Sequence, residues 1–262
     1  MARVHPTAVV EPGAELAADV EIGAYAVVGP HVVIGAGTTI GSHVALQGHT
    51  QIGRNNRIHP FCSIGGPPQD KKYAGEPTRL EIGDANTIRE YTTINTGTVQ
   101  DTGITRVGSN NWLMAYVHIA HDCVVGDNTI FANNAQLAGH VAIGDWVILG
   151  GMTGVHQFVK IGAHAMTAGG TILVQDIPPY VMGAGHPAAA RGMNVEGLRR
   201  RGFSAETITA LRRAYKTVYR DGLSLTQALE QLEAQIAEQP EHATHLQLFL
   251  QFLRTSERGI LR

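Results

Sequence analysis

The sequence has 262 residues, of which 44% are hydrophobic and only 16% charged, a balance that excludes an intrinsically disordered chain. The net charge of −2 and the lack of a long apolar run exclude a strongly basic nucleic-acid-binding protein and a membrane span. Residues 190–262 are mildly basic, with 11 Lys and Arg against 8 Asp and Glu, which is compatible with an acidic protein partner. Two cysteines without a CxxC motif, and no evident signal peptide, indicate a cytoplasmic protein.

A six-residue period dominates the first part of the chain. Over residues 4–64 every sixth residue is aliphatic, and glycine often follows directly; the period returns over residues 82–94 and 107–161. Short strands joined by glycine-assisted turns fit this period, whereas a helix repeats every 3.6 residues and a sandwich strand every two. The pattern predicts a mainly β protein, a three-sided parallel β-helix with 18 residues per turn, and leaves its handedness open.

Two polar insertions marked by Gly and Pro interrupt the period at residues 66–79 and 96–106. Both must leave the coil as surface loops, where binding residues are often found. The first loop groups Gln69, Asp70 and Lys72, which favours a binding role. For the second loop, a tolerated insertion is an equally good interpretation.

The period ends before the segment QDIPPYVMGAGHP, which is predicted to be an extended linker. Beyond it the pattern is helical, and helix-start signals at Ser204, Ser224 and Pro240 predict three helices. We therefore expect a hexapeptide-repeat β-helix over residues 1–189 and a small helical domain over residues 190–262.

The segment HIAHDCVVGD contains two histidines and an aspartate, and the 18-residue turn aligns them with polar residues of later turns. The aligned or adjacent residues are His118, His121, Asp122, Gly139, His140 and Gln157. Packing of an aliphatic coil does not require such a cluster. As residues of an outer rib, these side chains are expected to contribute little burial.

Three interpretations of the cluster remain open from the residues alone. The histidines could be solvated surface residues, which is the interpretation for most other histidines, including His164 and His245. They could bind zinc, although no cysteine or second carboxylate joins them at a matching position. In the third interpretation His121 is the general base of an acyl transfer, Asp122 orients its ring, and the Gly139 N–H stabilises the oxyanion. No Ser or Cys lies in this row, so direct attack by the acceptor hydroxyl is simpler than a covalent intermediate.

Six segments in this order, VHPTAVV, KYAGEPTRLEIGD, HIAHDCVVGD, GGMTGVHQF, DIPPY and NVEGLRRRGFS, resemble the UDP-N-acetylglucosamine O-acyltransferases of lipid A biosynthesis. The likeness covers almost the whole chain, and NVEGLRRRGFS is its most specific part. It implies a left-handed coil and a homotrimer with active sites between neighbouring coils. It also implies transfer of a 3-hydroxyacyl chain from acyl carrier protein to the glucosamine 3-hydroxyl of UDP-N-acetylglucosamine, with no resident cofactor because the donor carries its own phosphopantetheine arm.

The resemblance further implies roles for individual residues. His121 falls on the catalytic base of the family. Ten other positions fall on substrate-binding residues: Gln69, Asp70 and Lys72 on the first loop, His118, His140 and Gln157 in the pocket, Gly169 where acyl length is set, and Asn194, Glu196 and Arg200, which help hold the nucleotide or its phosphates.

Two positions depart from the family pattern. Asn95-Thr96 stands where relatives often carry His-Arg, and His186-Pro187 replaces a Gly-Asn-His type run that closes the distal acyl pocket in some members. The acyl length is therefore left open between Gly169 and the His186-Pro187 segment.

Other function classes also fit a hexapeptide coil, namely an acetyl-CoA-dependent acetyltransferase, a zinc-dependent lyase of the carbonic anhydrase type, and a trimeric scaffold without activity. An acidic carrier protein is expected to dock on basic residues of the helical tail. The candidates are Arg199, Arg201, Arg212, Arg213 and Lys216.

Overall fold

The computed structural model describes residues 1–262, and its N-terminal part is a three-sided parallel β-helix. Each repeat of six residues forms a short strand, and each turn of the coil contributes one strand to each of three sheets. Neighbouring turns pair in register, so Ile94 lies beside Ile119 and Ile119 beside Leu137. These aliphatic side chains are fully buried, and each contributes about 1.5–3 kcal/mol to stability.

The three sheets have the following strands in spatial order. The eleven-stranded sheet contains β1 (Arg3–Val4), β4 (Glu21–Ile22), β7 (Thr39–Ile40), β10 (Arg57–Ile58), β13 (Thr87–Ile88), β16 (Trp112–Leu113), β19 (Ile130–Phe131), β22 (Ile148–Leu149), β25 (Met166–Thr167), β27 (Val181–Gly185) and β28 (Ala188–Met193). The nine-stranded sheet contains β2 (Val9–Val10), β5 (Val27–Val28), β8 (Ala45–Leu46), β11 (Ser63–Gly66), β14 (Thr93–Asn95), β17 (His118–Ile119), β20 (Gln136–Leu137), β23 (Gly154–Val155) and β26 (Ile172–Leu173). The eight-stranded sheet contains β24 (Lys160–Ile161), β21 (Ala142–Ile143), β18 (Val124–Val125), β15 (Ile104–Val107), β12 (Arg79–Ile82), β9 (His49–Ile52), β6 (Val32–Ile34) and β3 (Glu15–Leu16).

Two boundaries differ from the sequence prediction. The second loop ends at residue 103, because Ile104 and Thr105 are buried and pair with Arg79 and Leu80 of the turn below. The predicted linker is wrong in part, since residues 181–193 form an antiparallel hairpin. Its strands are rich in Gly and Ala and therefore carry no hydrophobic period that a sequence reading could detect.

Four helices follow the hairpin: α1 (Val195–Arg200), α2 (Ala205–Tyr219), α3 (Leu225–Glu238) and, after a 3-10 turn at Pro240–His242, α4 (Ala243–Thr255). The predicted caps are present, because the Ser204 hydroxyl accepts from the Thr207 N–H and Ser224 forms a capping box with Gln227. None of the helices has both the length and the apolar character that a bilayer crossing requires.

Candidate functional site

Eight connections run along the edge of the coil between the nine-stranded and the eight-stranded sheet, and the last five of them lie together. These five are the two loops, 66–79 and 96–103, and three tight turns at 120–123, 138–141 and 156–159. We call this part of the edge the histidine corner. Because the turns stack with the spacing of neighbouring strands, residues far apart in sequence lie side by side there.

His121 and Asp122 form a hydrogen-bonded pair at the histidine corner. The distance between His121 Nδ1 and Asp122 Oδ2 is 2.8 Å, and the side chains are 12% and 0% exposed. The expectation that these rib residues are little buried is therefore wrong, because the neighbouring turns and loop cover them. Nδ1 is occupied by the carboxylate, so Nε2 is the nitrogen that stays available for proton transfer.

Gly139 lies beneath the imidazole of His121 in the next turn. A β-carbon at position 139 would be 2.5 Å from Cε1 and 2.7 Å from Nε2 of that ring, so the ring position requires a glycine. The Gly139 N–H donates no backbone hydrogen bond. This residue therefore gives the histidine its space and leaves an amide donor beside it.

The second loop holds the carboxylate of Asp122. Asp122 Oδ1 accepts from the Thr98 N–H at 2.8 Å and Oδ2 accepts from the Thr98 hydroxyl at 2.7 Å, while the Asp122 N–H donates to Thr105 Oγ1 at 2.8 Å. Asp101 of the same loop lies 2.7 Å from His140 Nδ1. The interpretation of this loop as a merely tolerated insertion is wrong.

Sequence reasoning missed Thr98, Thr105 and Asp101. One signal for this region was available in the sequence. The second loop joins β14 to β15, one turn of the coil before the turn that contains His121, so the six-residue period places both at the same corner. The individual contacts depend on the loop conformation, which no period specifies.

His140 lies against both members of the pair. Its ring meets that of His121 edge-on, with centroids 5.0 Å apart, and stacks on Phe158 at 4.4 Å. Its Nε2 is 3.9 Å from Asp122 Oδ2. The predicted neighbourhood of His121, Asp122 and His140 is present.

His118 and Gln157 flank this group. Burial lowers the pKa of His118, and the nearby His121 adds to the shift, so His118 is neutral at pH 7. Its Nδ1 is 2.7 Å from the Thr93 hydroxyl. Gln157 is exposed in the turn beyond Gly139, where its side chain is open to a ligand.

The histidine corner also offers three groups that could bind a metal. One ligand atom from each of His121, Asp122 and His140 lies within 4.8 Å of the others. Both oxygens of Asp122 already accept hydrogen bonds from Thr98, however, and His140 Nδ1 is paired with Asp101. Asp122 Oδ2 accepts from both the Thr98 hydroxyl and His121 Nδ1, so a metal ion at this oxygen would have to displace one of the two bonds. The hydrogen-bond pattern therefore favours a proton-transfer site over a zinc site.

The first loop is fastened at both ends by the residues that depart from the family pattern. Asn95 Nδ2 donates to the carbonyls of Gly66 and Pro67, at 3.4 and 3.0 Å, and Thr96 Oγ1 is 3.1 Å from Thr78 Oγ1. Asn95 and Thr96 are 8% and 3% exposed, so they support the loop from beneath.

Within this loop the predicted binding residues face solvent or shape the turn. Gln69 and Lys72 are exposed, and Asp70 Oδ1 accepts from the Lys72 N–H at 2.9 Å. The loop thus presents an amide and an ammonium group to solvent at the histidine corner.

Asn194, Glu196 and Arg200 lie elsewhere, along a groove of about 550 Å³ beside the eleven-stranded sheet. Gly169 lies in the turn between β25 and β26, at the corner of the eleven-stranded and nine-stranded sheets. One chain therefore does not bring these four residues to the histidine corner.

Comparison with known proteins gives matches over the whole chain. Residues 176–261 match a family model described as UDP-N-acetylglucosamine O-acyltransferase, domain 2, and residues 1–36, 31–66 and 104–139 match the bacterial transferase hexapeptide repeat. The chain is 65% identical to the acyl-(acyl-carrier-protein)–UDP-N-acetylglucosamine O-acyltransferase of Thiobacillus denitrificans, covering 100% of both sequences.

Two solved structures are similar to this chain over almost its whole length. LpxA from Acinetobacter baumannii is similar with a TM-score of 0.95 and 50% identity, and the UDP-N-acetylglucosamine O-acyltransferase LpxA from Moraxella catarrhalis with a TM-score of 0.96 and 49% identity. Each match covers 99% of both chains. The predicted fold class, a left-handed parallel β-helix of hexapeptide repeats followed by a small C-terminal helical region, is confirmed.

Proposed function

The chain belongs to the UDP-N-acetylglucosamine O-acyltransferase family, and on this premise we propose how its own residues carry out acyl transfer. The reaction moves a 3-hydroxyacyl chain from acyl carrier protein to the glucosamine 3-hydroxyl of UDP-N-acetylglucosamine, the first step of lipid A biosynthesis. The family match and the geometry of the histidine corner support this assignment together.

The observation that carries the proposal is the pairing of His121 Nδ1 with Asp122 Oδ2 at 2.8 Å, which leaves Nε2 unpaired. In this mechanism His121 Nε2 takes the proton of the substrate 3-hydroxyl while the hydroxyl oxygen attacks the thioester carbonyl. The tetrahedral intermediate then expels the phosphopantetheine thiolate, which receives the proton from the imidazolium. General-base catalysis of this kind contributes roughly 10²–10⁴-fold to the rate.

Asp122 and Gly139 complete the catalytic arrangement. The carboxylate stabilises the imidazolium that forms, and the two hydrogen bonds from Thr98 keep it in place. The Gly139 N–H is proposed to donate to the oxyanion of the tetrahedral intermediate.

Direct attack is favoured because the chain offers no free nucleophile at this corner. Burial raises the pKa of both thiols, Cys62 and Cys123, to about 12, so neither is a thiolate at neutral pH. The hydroxyls of Thr98 and Thr105, which contact the pair, are hydrogen-bonded to Asp122.

The distribution of the predicted residues supports an assembly of more than one chain, and we propose that it is the homotrimer that the family resemblance implies. The histidine corner and the groove with Asn194, Glu196 and Arg200 lie on different sides of one coil. A second copy that packs its eleven-stranded sheet against the histidine corner would bring the two sets together. The cationic Arg200 and Lys72 would then face the diphosphate from two chains.

The acidic carrier is proposed to dock on the helical domain. Four of the five candidate cations already have partners: Arg199 with Glu196, Arg213 with Glu238, Lys216 with Asp221, and Arg201 with the ring of Trp146. Arg212 is exposed and forms no ion pair, which makes it the strongest docking residue of the five. We place this reaction in the cytoplasm, where the donor is made, and assign no resident cofactor.

A donor comparison tests the proposed function. Purified protein is incubated with UDP-N-acetylglucosamine and either 3-hydroxyacyl carrier protein or acetyl-CoA, with and without a chelator. We expect transfer from the carrier protein alone, unaffected by the chelator. Preferred use of acetyl-CoA, or loss of turnover on chelation, would favour the acetyltransferase or the zinc-dependent alternative.

A further inference from the structure

His164 lies at the corner between the eight-stranded and eleven-stranded sheets, in the turn from β24 to β25. The expectation that it is a solvated surface histidine is wrong. Its ring lies between Trp146 and Tyr180, parallel to both within 17°, at centroid distances of 6.3 and 5.6 Å. Phe203 meets it edge-on at 5.1 Å.

This one residue contacts both ends of α1. Its backbone carbonyl accepts from Asn194 Nδ2 at 3.0 Å, and its ring Nδ1 is 3.3 Å from Nη1 of Arg201. Asn194 is the N-cap of α1 and Arg201 is the C-cap. The Arg201 guanidinium also lies over the Trp146 ring, 5.3 Å from its centroid.

Helix α1 needs such support because it has six residues and buries only Leu198. Isolated helices of this length are not stable in water, so external contacts determine how it is oriented. The same helix carries Glu196 and Arg200 into the groove beside the eleven-stranded sheet. Its orientation therefore decides where both charges point.

The Nδ1 atom can accept from a guanidinium only when the ring is neutral. Burial lowers the pKa of His164 to about 4, and the charges of Arg201 and His245 add to the shift. Trp146, Tyr180 and Phe203, the rings packed against it, carry no charge at neutral pH. Arg201, which cannot lose its proton at neutral pH, is then the donor.

We propose that His164 is a positioning residue of the nucleotide-sugar site: by holding Asn194 and Arg201 it fixes α1, and thereby the groups of Glu196 and Arg200 that meet the substrate. This inference rests on the proposed function. In this inference Arg201 holds the C-terminal end of α1 through its contact with His164 and does not dock the carrier protein.

Two substitutions at position 164 separate the hydrogen bond from the ring stack. His164→Phe keeps a flat ring, and the backbone tolerates it, since Phe61 and Phe158 occupy other corners with φ of 65° and 64° against 62° for His164. His164→Asn keeps an acceptor near the Nδ1 position, and asparagine is also found at such corners, as at Asn134 with φ of 61°.

The test measures kcat and KM for UDP-N-acetylglucosamine at saturating acyl donor. We expect His164→Phe to raise KM about tenfold, as for a lost hydrogen bond to a charged group, with kcat within about twofold. His164→Asn should recover most of the wild-type KM. Arg201→Met should raise KM similarly, and adding His164→Phe to it should have little further effect because both remove one contact.

An unchanged KM in both His164→Phe and Arg201→Met, or additive effects in the double variant, would overturn the inference. If His164→Phe fails to fold, the other two variants test the inference. A raised KM in Arg201→Met with a KM near wild type in His164→Asn supports it, and an unchanged KM in Arg201→Met overturns it. A wild-type protein that does not acylate UDP-N-acetylglucosamine would instead refute the proposed function, so the two failures are distinguishable.

Discussion

The imidazole of His121 lies over Gly139 so closely that a β-carbon there would be 2.5 Å from the ring. We predict that Gly139→Ala displaces the ring from its bond to Asp122 and lowers kcat by about 10²–10³-fold, the range seen when one oxyanion or base contact is lost. Gly151→Ala is the matched control, because its new methyl would meet only the Asn133 carbonyl at 3.4 Å. Equal kcat in both variants would show that the ring position is not held by this contact.

Thr98 is predicted to act through Asp122. Thr98→Val keeps the shape of the side chain but removes the hydroxyl that donates to Asp122 Oδ2 at 2.7 Å. A buried carboxylate that loses one donor orients its histidine less well, so kcat should fall about tenfold. Thr98→Ser keeps the hydroxyl and should retain most of the activity. If the valine and serine variants turn over equally, the loop hydroxyl has no part in orienting the pair.

Acyl length is predicted to depend on Gly169. A β-carbon at this position meets only the Gly151 carbonyl, at 3.4 Å, so the backbone can accept a larger side chain. Gly169→Met fills the space beyond it and should shorten the preferred 3-hydroxyacyl chain by several carbons, since each buried methylene contributes about 0.8 kcal/mol. Relative turnover across donors of increasing length measures this. A length profile identical to that of the parent would move the limit to the His186-Pro187 turn of the hairpin.

Because burial lowers the pKa of three histidines, we predict that the free energy of unfolding falls in acid. The pKa of His164 is about 4 in the folded protein against an ordinary value of 6.5, so between these values the unfolded chain binds more protons. The contribution of His164 to the free energy of unfolding is complete above pH 6.5 and is lost as the pH falls towards 4. His118 and His245, whose pKa values burial also lowers, act in the same direction.

Denaturant unfolding at several pH values measures this effect. His164→Phe cannot take up the proton, so its free energy of unfolding should fall less steeply than that of the wild type between pH 6.5 and 4. Parallel slopes for the two proteins would show that His164 does not titrate with folding.

The parts of the molecule that follow the period were predictable, and the parts that depend on loop geometry were not. Ile119 and its neighbours repeat every six residues, so the coil and the alignment of Asp122 with His140 follow from counting. The contact of Thr98 with Asp122 depends on the path of residues 96–103, where the six-residue period is absent. The hairpin and α1 are also irregular: one is built from small residues, and the other is held by contacts with His164.

Helix caps were predictable for a different reason. Ser204 and Ser224 act on N–H groups three residues away, so their effect is local and visible in the sequence. Arg201 shows the opposite case, because its role depends on Trp146 and His164, which lie 55 and 37 positions earlier in the chain.

The central claim, that His121 is the general base, is tested most directly by His121→Ala. The ring is 12% exposed and fills a space at the surface of the coil, so the melting temperature is recorded beside the kinetics to confirm that the variant is folded. At neutral pH and saturating substrates, kcat should fall by about 10²–10⁴-fold with little change in either KM. A folded His121→Ala protein with turnover near that of the wild type would contradict the account.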